Sequence, residues 1–413
     1  EGSVAIQATN NSNDNGTMTI SNSIFYSDII DAPYCDLSVT YSLVYDIEGE
    51  GNFYNDPLFC NVDSSDFTLY NNSPCAGTGE NGAHIGALGV GCGTYSGEIG
   101  DDITPGESPF YISPDGNEFA SGSVDDPFGS LETAFSYLDD ESERIIYVLP
   151  GTYSGPYNQG LTLHDDLSII GVGDVDETVF QCTGSTILSV NSNTSATIQN
   201  ITFTGNMNNN SLISANTDNG VTDVLTLDNC KFTDLQGRSV SIGSYQNGNI
   251  SNCVFAGNTA NMSSGGRGSS LQISGYTEVN LSDCLFYNNQ DVNNNSEHFG
   301  TINASSTDYT LNIDGSTFYD NGGEGSIAIY DDNNNVPKYI NITNSIFYSD
   351  IIDAPYANLD VSYSLVYDVA GEGNFYNDPL FCNVDSSDFT LYNNSPCAGT
   401  GQEGSNMGAL EVG

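Results

Sequence analysis

The sequence predicts an all-β chain, a right-handed parallel β-helix in tandem units with a short N-terminal capping helix, and three observations carry that expectation. A strand-turn-strand phrase ending in phenylalanine recurs through the second half of the chain. A 70-residue segment occurs twice, 322 residues apart. Only one stretch has helical periodicity.

The duplication is the first element met along the chain. Residues 22–91 align without a gap to residues 344–413, with 58 identities in 70 positions. Upstream, Ser3, Val4, Ala5 and Ile6 match Ser326, Ile327, Ala328 and Ile329 after a one-residue shift. Residues 1–92 therefore read as the last coils of one unit. Residues 93–107, rich in Gly, Asp and Glu, read as a linker. Residues 108–413 read as a complete unit, with a cap at 108–150, coils at 151–375 and a closing segment at 376–413.

Within the cap, Ser130 precedes Leu131, Ala134, Phe135 and Leu138, an i, i+3, i+4, i+7 pattern behind an N-cap residue. Beyond it the pattern turns to short strands. The phrases IQNITF, LDNCKF, ISNCVF, LSDCLF, IDGSTF and ITNSIF end at Phe203, Phe232, Phe255, Phe286, Phe318 and Phe347, at spacings of 29, 23, 31, 32 and 29 residues. Variable spacing suits a β-helix, whose coils stay in register while loops of any length leave at the turns; helical solenoids keep stricter periods. A turn ladder is expected at Asn200, Asn229, Asn252, Asp283 and Asn344, with Gly315 in the same column, because these residues tolerate left-handed backbone.

Composition narrows the function. Fifty-four acidic residues face five basic ones, a formal charge of −49. Such a surface repels phosphate and anionic headgroups, so nucleic acid and acidic membranes are excluded as partners. No apolar run is long enough to span a bilayer. Ten cysteines, two pairs of them at matching places in the repeat, point to an oxidising, secreted or cell-surface setting. Those pairs, Cys60 with Cys75 and Cys382 with Cys397, are expected to be disulfides, and Cys35 is expected to pair with Cys92. Cys230, Cys253 and Cys284 share one coil position and are expected to stack as buried thiols.

The opening YISPDGN, GSVDDPFGSLETAFSYL and IIYVLPGTYSG resembles the N-terminal cap of bacterial right-handed parallel β-helix proteins related to pectate lyases. The closing DPLFCN, DFTLYNNSPCAGTG and IGALGVGCG resembles the end of large secreted β-helix repeat proteins, where it precedes a surface-anchoring or sorting module. The resemblance implies the fold; the fold carries lyases, hydrolases, adhesins and plain rods alike.

A lyase of this kind needs a Lys or Arg base over calcium-bound uronate. The supply is Arg144, Lys231, Arg238, Arg267 and Lys338. Asp165 with Asp166, and Asp331 with Asp332, read as loop carboxylates, and His84, His164 and His298 stand alone. Asp115, Asn117, Glu118, Asp125 and Asp126 crowd the cap with hard oxygen atoms and form a candidate calcium site; no other cofactor is expected. Sequons at Asn193, Asn200, Asn249 and Asn341 permit glycosylation.

The expectation is accordingly a non-enzymatic extracellular structural protein, a fibre, stalk or sheath whose units meet head to tail. Two alternatives stand beside it: a polysaccharide-binding or polysaccharide-cleaving protein using Tyr245, Tyr276, Tyr309 and Tyr330, and an adhesin stalk.

Overall fold

A computed structural model describes residues 3–7, 16–26, 28–32, 35–45, 47–61, 66–93, 108–118, 120–138, 144–184, 186–190, 194–216, 223–243, 245–260, 269–291, 300–305, 308–322, 325–330 and 337–413. The chain divides into two compact units, Glu1–Thr104 and Pro105–Gly413. Apart from Gly93, the expected linker lies outside the described residues, as do the loop carboxylates Asp331 and Asp332.

The second unit is a parallel β-helix. One coil shows how it is built. Asp223–Asp228 lies in a ten-stranded sheet, Asn229 turns the chain into the short strand Lys231–Thr233, and Asp234 turns it again into Gln236–Gly243. Tyr245 then returns it to Gln246–Ser251, which pairs in parallel with Asp223–Asp228 from Asp223↔Gln246 to Asp228↔Ser251. The short and third strands of successive coils form one 17-stranded sheet that bends around the other two sides.

Alternation sets the core. Leu225 and Leu227, Ile250, Val279 and Leu281, Leu311 and Ile313, and Ile340 and Ile342 face inward from the ten-stranded sheet and are buried. The phenylalanines stack one per coil. Ring centroids lie 5.2, 4.8, 4.6, 4.6 and 4.4 Å apart from Phe203 through Phe232, Phe255, Phe286 and Phe318 to Phe347. Phe180 and Tyr153 extend the column upstream, at 5.8 and 4.9 Å, without the sequence phrase that marks the rest.

The helix Leu131–Ser136 covers the start of the unit, burying Leu131, Ala134 and Phe135, and the Ser130 hydroxyl accepts from the Thr133 N–H at 3.2 Å. At the other end, the closing segment folds back along the coils. Gly408 N–H donates to the Asn344 carbonyl at 2.7 Å and Ala409 N–H donates to Thr317 Oγ1 at 2.9 Å.

The first unit repeats the last part of this plan with two short parallel pairs, Ser3–Gln7 on Asp28–Asp31 and Gly16–Ser21 on Cys35–Thr40. Its closing segment forms a three-stranded sheet of Phe59–Asn61, Asp66–Tyr70 and Val90–Cys92.

That sheet corrects the cysteine pairing. Cys60 bonds to Cys92, because both strands flank Asp66–Tyr70. Cys75 points the other way, into a core with Leu43, Leu69 and Ile85, and burial pushes its thiol up to about 12. Cys382 and Cys397 do not bond to each other for the same reason: Cys397 is buried with Ile346, Leu365, Leu391 and Met407, whereas Cys382 is half-buried in the Phe381–Asn383 strand. Cys35 is free and does not reach Cys92. Cys182 is a buried free thiol.

Candidate functional site

The outer face of the ten-stranded sheet carries the arrangement with the clearest chemical use. Outward positions of successive strands put Asn249, Asn280, Asn312 and Asn341 in one register column. Each amide donates to the one before it: Asn280 Nδ2 to Asn249 Oδ1 at 3.0 Å, Asn312 Nδ2 to Asn280 Oδ1 at 2.8 Å and Asn341 Nδ2 to Asn312 Oδ1 at 2.8 Å. The chain of amides fixes each side chain and leaves the row accessible at the surface. Its repeat is the strand spacing, about 4.8 Å.

Beside it runs a second column, Asn247, Glu278, Thr310 and Tyr339. Asn247 Oδ1 accepts from the Glu278 N–H at 2.9 Å, and Asn312 Nδ2 reaches Glu278 Oε1 at 3.4 Å. At the strand entries the turn residues Tyr245 and Tyr276 hold positive φ angles of 75° and 27°. Their rings stack at 4.8 Å and 7°, and Tyr276 is 51% exposed. A hollow of about 300 Å³ opens there, lined by Tyr276, Glu278, Asp308 and Thr310 among others. An exposed aromatic face next to carboxylates and fixed amides offers both an apolar ring surface and hydrogen-bond partners.

Of the tyrosines singled out in the sequence, the structure therefore joins Tyr245 to Tyr276. Tyr309 is only 1% exposed, because it is the first, inward-facing residue of Tyr309–Asp314 and belongs to the core. The backbone of Tyr330 pairs with Ser305; its side chain lies outside the description.

The basic residues are spent elsewhere. Lys231 is ion-paired with Asp176 at 2.5 Å, and Arg144 Nη1 donates to the Asp165 carbonyl at 2.5 Å. Arg238 and Lys338 are buried, and Arg238 Nη1 donates to Ser211 Oγ at 3.1 Å. Arg267 lies outside the described residues. Asp165 Oδ1 accepts from the Ser195 N–H at 2.8 Å, a loop-fastening role, and Asp166 holds a positive φ of 55° beside it.

His84 accepts at Nδ1 from the Gly77 N–H at 3.0 Å, and Asn406 makes the same bond to Gly399 in the second copy at 2.8 Å, so either residue serves the loop. His164 packs edge-on against Phe135, and His298 and Asn193 lie outside the described residues.

In the cap, Asp126 Oδ2 accepts from the Ser121 N–H at 2.7 Å. Among the described residues no three His, Cys, Asp or Glu side chains gather into a metal-binding group, so Asp115, Glu118, Asp125 and Asp126 do not converge and Asn117 has no such group to join.

The turn column Asn200, Asn229, Asn252, Asp283, Gly315 and Asn344 has positive φ throughout, from 49° to 60°. Its amide bonds are mixed. Asn229 donates to Asn200 at 2.8 Å, but Asn252 donates to Asp228 at 2.9 Å and Asn344 donates to Asp314 at 2.8 Å. Cys230, Cys253 and Cys284 are buried free thiols, and burial together with their mutual hydrogen bonds holds the Cys253 thiol well above the usual thiol range.

The outward amide ladder went unread in the sequence. Its signal was an Asn six residues before each of Phe255, Phe286, Phe318 and Phe347.

No protein-family model matches the chain, and no curated protein matches it. Among solved structures it is similar to pectate lyase Pel9A, with 16% identity and a TM-score of 0.40 over 76% of this chain and 99% of that one. It is also similar to pectin methylesterase PemA from Erwinia chrysanthemi, with 13% identity and a TM-score of 0.29 over 65% and 81%. A rhamnogalacturonan lyase follows, with 11% identity and a TM-score of 0.23 over 68% and 92%. All three are named for enzymes, against the expectation of a non-enzymatic chain. At these scores none of them assigns a reaction or a site residue to this chain.

Proposed function

We propose that the chain is a secreted polysaccharide-binding β-helix that holds an extended polymer against the outer face of its ten-stranded sheet. The observation that carries this reading is the exposed Tyr245–Tyr276 stack, set beside Glu278, Asp308 and the Asn249–Asn341 amide row. Tyrosine offers a rigid apolar ring face. Fixed amides and carboxylates suit sugar hydroxyls, and a row repeating at about 4.8 Å suits a polymer of similar subunits. The disulfide Cys60–Cys92 supports a secreted setting.

Charge selects the polymer class. With a formal charge of −49 and the described basic side chains paired or buried, a neutral polysaccharide is favoured over a polyuronate, which would be repelled unless divalent cations bridged it.

Electrophoresis in gels containing neutral glucans, galactans or polygalacturonate, the last with and without calcium, tests both points. The wild-type chain is expected to be retarded by at least one neutral polymer, and Tyr276→Ala is expected to migrate as it does in plain gel. Equal retardation of wild type and Tyr276→Ala would overturn the reading. Assay of new reducing ends and unsaturated products in the same mixtures reports whether the bound polymer is also cleaved.

The duplication of 22–91 at 344–413 supports a second reading, in which repeated units form an extracellular rod that presents this face many times. Electron microscopy of the native material separates the two: rods or filaments favour it, and isolated particles of one chain oppose it.

A further inference from the structure

Three residues after each of Phe255, Phe286 and Phe318 comes an asparagine, and three after Phe347 comes Asp350. All four side chains are buried at one inner corner of the coils. Asn258 Nδ2 donates to Asn289 Oδ1 at 2.9 Å, and Asn289 Nδ2 donates to Asn321 Oδ1 at 2.8 Å. Asn321 then donates through its backbone N–H to Asp350 Oδ1 at 3.0 Å and through Nδ2 to Asp350 Oδ2 at 3.1 Å.

Each asparagine makes one further bond. Its Nδ2 donates to the phenylalanine carbonyl of the preceding coil: Asn258 to Phe232 at 2.9 Å, Asn289 to Phe255 at 2.8 Å and Asn321 to Phe286 at 2.9 Å. For the fourth rung the corresponding acceptor is the Phe318 carbonyl. A carboxylate has no hydrogen to offer it; a carboxylic acid has one.

We propose that Asp350 is a proton-binding site built into the ladder: the chain folds with this carboxyl neutral, its O–H donating to the Phe318 carbonyl as an asparagine amide would. The proton comes from solvent, and its loss leaves a buried carboxylate aimed at a carbonyl oxygen.

The surroundings agree. Burial raises the Asp350 carboxyl from 3.8 to about 7, against the lowering effect of the hydrogen bonds from Asn321 and Ser326, and the carboxylate of Asp320 raises it further. Asp320 is the one charged side chain acting on it among the described residues, and it is of like sign.

The sign of the pH effect follows. A carboxyl whose value is higher folded than unfolded keeps its proton in the native state while the unfolded chain has released it, so folding takes up a proton between about pH 4 and about pH 7. Stability from this group is fully present below that window and lost as pH rises through it.

Urea unfolding of the second unit, in wild type and Asp350→Asn from about pH 4 to about pH 8.5, tests the proposal. The expected result is near-equal midpoints at the acid end and an advantage of Asp350→Asn that grows between about pH 4 and about pH 7 and levels off above it. A difference that stays constant across the range, or that favours wild type as pH rises, overturns it. If Asp350→Asn does not fold, infrared spectra of wild type labelled with ¹³C-aspartate decide. A protonated-carboxyl band surviving at about pH 6 supports the proposal, and its absence sinks it.

Discussion

Residues 66–79 and 388–401 have one and the same sequence, yet the two copies are not equally buried. Phe67 is 44% exposed and Phe389 is 1% exposed. Both rings meet a phenylalanine of their own hairpin edge-on, Phe59 at 5.4 Å and Phe381 at 5.3 Å. Phe389 also lies against the outward tyrosines of two coils, Tyr287 at 4.9 Å and Tyr319 at 5.2 Å. Local geometry travels with the sequence. Tyr41 donates to Glu50, and Tyr363 to Glu372, both at 2.7 Å. Burial depends instead on the coils the segment folds against.

The largest expected effect breaks this comparison by truncating the ring. Phe389→Ala removes a fully packed aromatic and should cost the second unit about 3–5 kcal/mol. Chemical denaturation checks it, and a loss of about 1 kcal/mol or less would count against the burial argument. Next comes reduction. The Cys60–Cys92 bond closes a loop with a sequence separation of 32 residues, so reductant should destabilise the first unit by about 2–4 kcal/mol. A first-unit midpoint unchanged by reductant would count against the role of this bond. The smallest effect sharpens the likeness. Tyr41→Phe and Tyr363→Phe each delete an exposed hydrogen bond and should shift the denaturation midpoints of the two units by the same small amount.

What the sequence revealed was whatever repeats in register. The phenylalanine phrases, the Ser130 cap and the positive-φ turn residues are each fixed by neighbours a few positions away. The pairing of Cys60 with Cys92 was not legible, because it depends on which strand lies between them. Tyr309 was misread for a related reason: a turn-flanking tyrosine and an inward first strand residue look alike until the register is known. Both amide ladders had a signal, Asn at fixed offsets from Phe, but one faces the core and the other the surface, and only the coil geometry separates them.

The claim that a polymer lies on the outer sheet face meets its most direct test in hydroxyl-radical footprinting of tyrosine, with and without a retarding neutral polysaccharide. Bound polymer should protect Tyr276 and Tyr339 and leave the exposed Tyr45 and Tyr367 as reactive as before. Protection of Tyr45 and Tyr367 with Tyr276 unchanged would contradict it.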